Sequence, residues 1–312
     1  MSLLFSVSVT FRKDVVKVAA LKLNSCANVQ AGVRWGYALG WYGEFGVTND
    51  ADTMSKLKFL TRHGFKCTHI GLDQLNQKDD AVKDEIFAYL AEHDLDLMPI
   101  VGFNYTGYSL EKAKRETERQ LELLAKYAPL LRNRICHTGL YASDRFRNKV
   151  PVHQTLDLLS EHMGPLAEGC AQVGTPLCVE NHGDYYVSDI VKLCQITPHL
   201  YLFLDTGNTF LLGEKPLPAF YEAAPYTIGS HFKDQRVKPM PQASPLHFEV
   251  GNSDLGGGDV PLRECWDILR KYAPLPDHLT MMFEMFPPPG MDPMTCLQNS
   301  ITFVKSLEGS NL

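Results

Sequence analysis

The chain lacks a GxGxxG motif behind an early strand, a CxxC pair, an excess of positive charge, and any run of roughly 20 uninterrupted apolar residues. Each absence excludes something. Without the glycine fingerprint a dinucleotide-binding open sheet is disfavoured. With 30 basic against 36 acidic side chains and a net charge of -6, there is no electrostatic reason to expect a nucleic-acid partner. Without a long apolar run no helix can cross a bilayer, and the apolar start Leu3 to Val9 is soon broken by Arg12, Lys13 and Asp14. The eight cysteines are scattered, several inside apolar runs such as Leu177-Cys178-Val179. They read as reduced, buried thiols of a soluble cytoplasmic protein.

What the chain does contain is alternation. From residue 33 onward, short apolar runs alternate with longer stretches of helical period, the pattern of a parallel sheet covered by helices. The predicted strands are Val33 to Ala38, Cys67 to Leu72, Leu95 to Val101, Ile135 to Leu140, Pro176 to Glu180, Leu200 to Asp205, Tyr226 to His231 and Leu279 to Glu284. The predicted helices are Asp52 to His63, Ala81 to His93, Ser109 to Tyr127, Val152 to Val173, Ser188 to Cys194, Leu217 to Ala223, Pro261 to Tyr272 and Pro293 to Leu307. Ser109 reads as an N-cap, and Gly164-Pro165 is expected to kink or break its helix. Eight strands, each followed by a helix and with no linker between them, predict an α/β fold, a single-domain (β/α)8 TIM barrel over residues 33 to 312. Residues 1 to 32 form an N-terminal extension, in which Phe5 to Thr10 alternates like a strand edge. Gly256-Gly257-Gly258 reads as a flexible turn rather than a phosphate cradle.

In such a barrel the informative residues are polar ones that end an apolar strand, because the active site lies at the strands' carboxyl ends. Strand five reads PLCVE and ends in Glu180; strand six, LYLFLD, ends in Asp205; strand seven, YTIGSH, ends in His231; strand eight, TMMFE, ends in Glu284. Three carboxylates converging on one mouth repel each other unless a cation joins them. The alternative is that Lys233, Arg236 and Arg263 neutralise them in separate ion pairs. Three oxygens and one imidazole suit one divalent metal ion, Mn²⁺ first, with Mg²⁺, Co²⁺ or Zn²⁺ also admissible.

The motifs VENHGD (179 to 184), LDTGN (204 to 208), SHFKD (230 to 234) and FEM (283 to 285), in this order at the ends of strands five to eight, resemble the xylose isomerase-like TIM-barrel superfamily of sugar isomerases and epimerases. The resemblance covers nearly the whole chain after residue 30. It implies that Glu180, Asp205, His231 and Glu284 are the metal ligands. It further implies that Glu180 and Glu284 form the acid/base pair, moving a proton beside a carbonyl through a metal-stabilised enediolate. The superfamily also holds inosose dehydratases, dehydroshikimate dehydratases and an endonuclease branch. That last branch has a histidine three positions after the strand-six aspartate, where this chain has Asn208, which together with the acidic balance argues against DNA repair. The same histidine often meets substrate in the ketose 3-epimerases, so Asn208 also departs from that subgroup.

Around the four ligands, Lys233 is a candidate substrate contact, with Asp234 holding it, against the plain alternative of a surface ion pair. Arg236, His182, Asn208 and Asn104 are candidates to meet a hydroxyl or carboxylate. Asp73 and His137 end strands two and four and are similarly placed. Trp35, Tyr37 or Trp41 could stack on a sugar ring or simply pack. His247 and Glu249, in the insert before strand eight, either cover the site or face solvent. The expected function is a divalent-metal-dependent isomerase or epimerase acting on a small carbohydrate. A lyase dehydrating a keto-cyclitol or keto-sugar is the alternative, toward which HFKD leans by resemblance to inosose dehydratases. A non-catalytic carbohydrate-binding barrel is the third reading. Pairing into a homo-oligomer stays open, since no exposed apolar stripe points to a partner.

Overall fold

The computed structural model describes residues 32–38, 45, 53–132, 134–140, 150–240 and 247–308. The expected N-terminal extension, Gly32 apart, lies outside the described residues, and so does Trp41. In chain order the elements are β1 (Arg34–Tyr37), α1 (Thr53–His63), β2 (Cys67–Gly71), α2 (Leu72–Asn76), α3 (Asp80–His93), β3 (Asp96–Ile100), α4 (Leu110–Leu131), β4 (Cys136–Thr138), α5 (Val152–Val173) and β5 (Leu177–Glu180). They continue with α6 (Val187–Ile196), β6 (Leu200–Asp205), α7 (Asn208–Leu211), α8 (Pro216–Ala223), β7 (Thr227–Phe232), β8 (Gln235–Pro239), β9 (Phe248–Asn252), α9 (Leu262–Tyr272), β10 (Thr280–Phe283) and α10 (Pro293–Glu308). Strands β1 to β7 and β10 pair in parallel and close on themselves, in the order β1-β10-β7-β6-β5-β4-β3-β2. The fold is the expected (β/α)8 barrel, and all eight predicted strands are in it.

Two helices depart from expectation at proline. Ser109 caps α4 as expected, its hydroxyl accepting from the Lys112 amide at 3.3 Å, but the helix runs on through Pro129 to Leu131. Helix α5 is continuous across Gly164-Pro165 rather than broken there. Proline costs that turn one backbone hydrogen bond, while Leu159, Met163, Leu166, Ala167 and Cys170 are buried on both sides of it. Packing of that stripe outweighs the local defect. The connection after β7 also holds structure unforeseen in the sequence: β8 and β9 form an antiparallel ribbon outside the barrel, with Val237 opposite Val250. His247 and Glu249 lie exposed on it.

Two apolar layers result. The larger lies between strands and helices. The smaller fills the barrel itself and comprises Cys67, Met98, Ile135, Cys178, Tyr201, Phe203, Ile228 and Met282. Side chains alternate along a strand, so the residue two positions beyond an interior one also points inward, one layer nearer the mouth. That step leads from Cys67 to His69, Ile135 to His137, Cys178 to Glu180, Phe203 to Asp205 and Met282 to Glu284. On β7 a register shift against β6 puts Gly229 opposite Phe203 and His231 opposite Asp205. A Cβ at Gly229 would lie 2.5 Å from the Phe203 ring, so glycine is what lets that ring sit under the mouth.

Candidate metal centre

The ends of β5 to β7 are laced together by the polar residues of the sequence motifs. The Asn181 carboxamide clasps the backbone of Asp205, accepting from its amide at 2.7 Å and donating to its carbonyl at 2.9 Å. Asp205 in turn accepts the Gly207 and Asn208 amides on one carboxylate oxygen, at 2.8 and 3.0 Å, which leaves its other oxygen to the mouth. The Thr206 hydroxyl donates to the Lys233 carbonyl at 2.7 Å and accepts its amide at 2.9 Å, fixing β7 beside β6.

On this frame Glu180, Asp205, His231 and Glu284, all buried, bring one ligand atom each to within 4.8 Å of one another. His231 Nδ1 lies 3.1 Å from Glu180 Oε1 and 3.2 Å from Glu284 Oε2. Lys233 reaches in from the rim, its Nζ 3.4 Å from both Asp205 Oδ2 and Glu284 Oε2. Beside them stand the imidazoles of His69 and His137, and the Phe203 ring lies one layer beneath. His69 Nε2 is 3.3 Å from His231 Nε2, His137 Nε2 is 3.2 Å from Glu180 Oε2, and Phe203 meets the His231 ring edge-on at 4.8 Å.

The electrostatics are unbalanced. Burial opposes every charge here, and the groups split in response. Burial, joined by Glu284 and Glu180, holds the Asp205 carboxyl well above the ordinary range. Against burial, His231 and His137 keep Glu180 well below it, while His231 and Lys233 lower Glu284. Also against burial, Glu284 and Glu180 push His231 up to about 9, and Asp205 and Glu284 raise Lys233. His69 is driven well below its ordinary value by burial and by the neighbouring His231. Among the described residues, three carboxylates are thus served by the His231 imidazolium and the Lys233 ammonium, and Asp205 is the carboxyl whose charge the surroundings oppose most. A divalent cation at their common focus would supply positive charge to all three carboxylates and replace the His231 charge. The donor set and spacing therefore fit one.

The remaining sequence candidates separate. Lys233 and His137 stand in the mouth. Trp35 does not: it points outward, only 2 % exposed, against Phe232, Trp266 and Phe283, and its indole N–H donates to Glu308 at 2.7 Å. Stacking on a sugar is corrected to helix-layer packing, and the same holds for Tyr37, which sits among Phe45, Phe59, Phe65 and Phe283. Asp234 is not the partner of Lys233. Its carboxylate accepts the amides of Gln235, Gly256, Gly258 and Val260 at 2.9 to 3.1 Å. The glycine run is thus a cradle after all, filled by the chain's own carboxylate. Alternate residues of the extended chain face opposite ways, which parts Asp234 from Lys233.

Asn208 is buried and its carboxamide donates to the Asn181 carbonyl at 3.1 Å. Asn104 is exposed and accepts the Gly107 amide at 2.9 Å, closing a turn. His182 is half-exposed, its Nδ1 3.9 Å from Asp184. Arg236 lies exposed on the outer ribbon. Asp73 is engaged by Arg119, and Arg263 donates to Ser306, so of the three cations weighed as neutralisers only Lys233 reaches the carboxylates among the described contacts. Sequence reading missed His69, which sits inside an apolar run. Its signal was the spacing of two from Cys67, usable only once Cys67 is known to face the barrel interior.

Comparison with known proteins agrees with this architecture. The structure superposes on a D-psicose 3-epimerase from Clostridium cellulolyticum H10 solved with D-tagatose (TM-score 0.64, 13 % identity, 90 % of this chain and 99 % of that one). It also superposes on a xylose isomerase-like TIM barrel protein from Mycobacterium smegmatis in complex with magnesium (0.62, 18 %, 90 % and 97 %). A third neighbour is the probable 3-DHS dehydratase AsbF from Bacillus anthracis (0.61, 15 %, 82 % and 94 %). No curated protein sequence matches the chain. A family model described as the xylose isomerase-like TIM barrel matches residues 57–307, a span that carries seven of the eight barrel strands and all four converging side chains, and the chain belongs to that family.

Proposed function

We propose that the protein is a divalent-metal-dependent isomerase or epimerase of a sugar or sugar derivative, in which Glu180, Asp205, His231 and Glu284 hold the ion. One observation carries the reading: three buried carboxylates and an imidazole share a focus within 4.8 Å, with too little positive charge among the described residues to balance it. Mn²⁺ suits three oxygens and one nitrogen, and Mg²⁺, Co²⁺ and Zn²⁺ are compatible. When bound, such an ion supplies Lewis-acid polarisation of a carbonyl and its neighbouring hydroxyl.

The rest falls to the chain. Glu180 and Glu284 come from β5 and β10, strands separated by β6 and β7 around the mouth, and so flank the focus from two sides. One carboxylate removes the proton next to the carbonyl and the other returns one, the two-sided exchange an epimerase requires. His137, 3.2 Å from Glu180, orients the first. Lys233, 3.4 Å from Glu284, donates to a substrate oxygen. The likeness to a D-psicose 3-epimerase supports the substrate class. The deciding experiment incubates Mn²⁺-loaded protein with a ketose panel in D₂O and follows C–H exchange by NMR. Exchange or interconversion is expected; their absence across the panel, with the ion bound, refutes the reading.

The Lys233 ammonium beside Glu284 also favours a second reading, a dehydratase in which it serves as acid to a departing hydroxyl. One solved neighbour is described as a probable dehydratase. Formation of an ultraviolet-absorbing enone from a keto-cyclitol or keto-sugar would select this reading over the first.

A further inference from the structure

His69 is a buried histidine that the proposed chemistry does not use. It is 5 % exposed, its Nε2 lies 3.3 Å from His231 Nε2, and its Nδ1 is buried without a hydrogen-bond partner among the described residues. His231 presents its other nitrogen, Nδ1, to Glu180 and Glu284 at 3.1 and 3.2 Å. The two faces of the His231 ring edge therefore have separate tasks. A nitrogen that ligates a cation must offer its lone pair, so the ring's proton must then reside on the opposite nitrogen, which here faces His69.

We infer that His69 is a positioning residue that accepts the Nε2–H of His231, thereby holding Nδ1 as the ligand atom of the metal site; this rests on the metal reading above. The geometry supports it in two further ways. Phe203 meets the His231 ring edge-on at 4.8 Å and 82° and the His69 ring at 6.4 Å and 61°, so an apolar ring packs against both imidazoles. The Phe203 position is itself made possible by Gly229, which leaves the space a side chain would fill. Acceptance at His69 Nε2 requires the His69 proton to sit on Nδ1, which leaves a buried N–H without a partner among the described residues. A buried imidazole placed at such a cost is consistent with a task at its other end.

The test compares wild type, His69→Leu and His69→Gln by titrating metal-free protein with Mn²⁺ under electron paramagnetic resonance detection. Leucine keeps volume and removes the acceptor; glutamine restores an acceptor oxygen near the same place. His69→Leu is expected to weaken Mn²⁺ binding about 10- to 100-fold, and His69→Gln is expected to recover most of it. Loss in both alike, or in neither, overturns the inference. In parallel, ¹⁵N correlation spectra of the Mg²⁺- or Zn²⁺-loaded wild type are expected to place the His231 proton on Nε2; a proton on Nδ1 overturns it without any variant. Wild type that binds no cation refutes the metal reading itself, whereas wild type that binds while His69→Leu is unaltered refutes only the role of His69.

Discussion

The two ends of the barrel bury acidic groups equally well and treat them in opposite ways. At the amino-terminal end Asp96, 4 % exposed, receives a two-pronged contact from Arg34, with Nε at 3.0 Å and Nη2 at 2.6 Å. Arg34 also reaches Asp94 at 2.8 Å, and Asp94 is met again by Arg132 at 3.0 Å. At the carboxyl-terminal end Asp205, fully buried, has one longer contact from Lys233 and shares its surroundings with Glu180 and Glu284. A planar guanidinium matched to carboxylates leaves a closed, self-sufficient plug. Among the described residues, a single ammonium and an imidazolium beside three carboxylates leave a deficit of positive charge. The first arrangement serves the fold, and the second supports the proposed cation site.

That contrast can be broken at either end. The largest effect is expected from Glu180→Gln or Glu284→Gln, which should lower proton exchange on substrate by about 10³-fold while the protein stays folded. Isotope exchange beside circular dichroism checks both halves, and a variant retaining more than a tenth of the activity removes that glutamate from the acid/base pair. Next comes Arg34→Met, which strands Asp96 and should cost roughly 3–5 kcal/mol in urea unfolding. A loss below about 1 kcal/mol would mean that the plug is ornamental.

Third is the pH response of metal-free protein. His231 is raised to about 9 from an ordinary 6.5, so the stability its charge provides is complete below about pH 6.5 and is lost as pH climbs through about 9. A fall of roughly 2–3 kcal/mol over that window is expected in chelator, and saturating Mn²⁺ should abolish it. A flat profile in chelator would place His231 among the neutral residues. The smallest effect is Asp205→Asn. Because burial and the neighbouring Glu284 and Glu180 already oppose a charge on this carboxyl, a neutral carboxamide should be tolerated there, and the metal-free variant should unfold within about 1 kcal/mol of wild type. Wild type should gain about 2.7 kcal/mol at Mn²⁺ a hundredfold above its Kd, and the variant nothing. A variant stabilised as much as wild type would exclude Asp205 from the ligand set.

Legibility followed the same physics. Glu180, Asp205, His231 and Glu284 could be read from the chain because each ends an apolar run, and an abrupt polar terminus on a buried strand survives any uncertainty about which way alternate residues face. Trp35 and Asp234 were misread because that uncertainty is all that decides them. On a strand buried on both sides, apolar residues alternate with apolar residues, so nothing local tells the inward face from the outward one. The acceptors' donors also lie far off in the chain: Asp234 is met by glycines 22 and 24 positions later.

By itself the sequence determined the number and order of the barrel strands, the closure into a barrel and the four polar strand ends, since periodicity and run length are local properties. Only the tertiary structure decided which side chains share the interior, that His69 lies behind His231, and that of Lys233, Arg236 and Arg263 it is Lys233 that enters the mouth. Those facts depend on register between strands distant in the chain, and a shift of one residue would have turned every one of these side chains the other way.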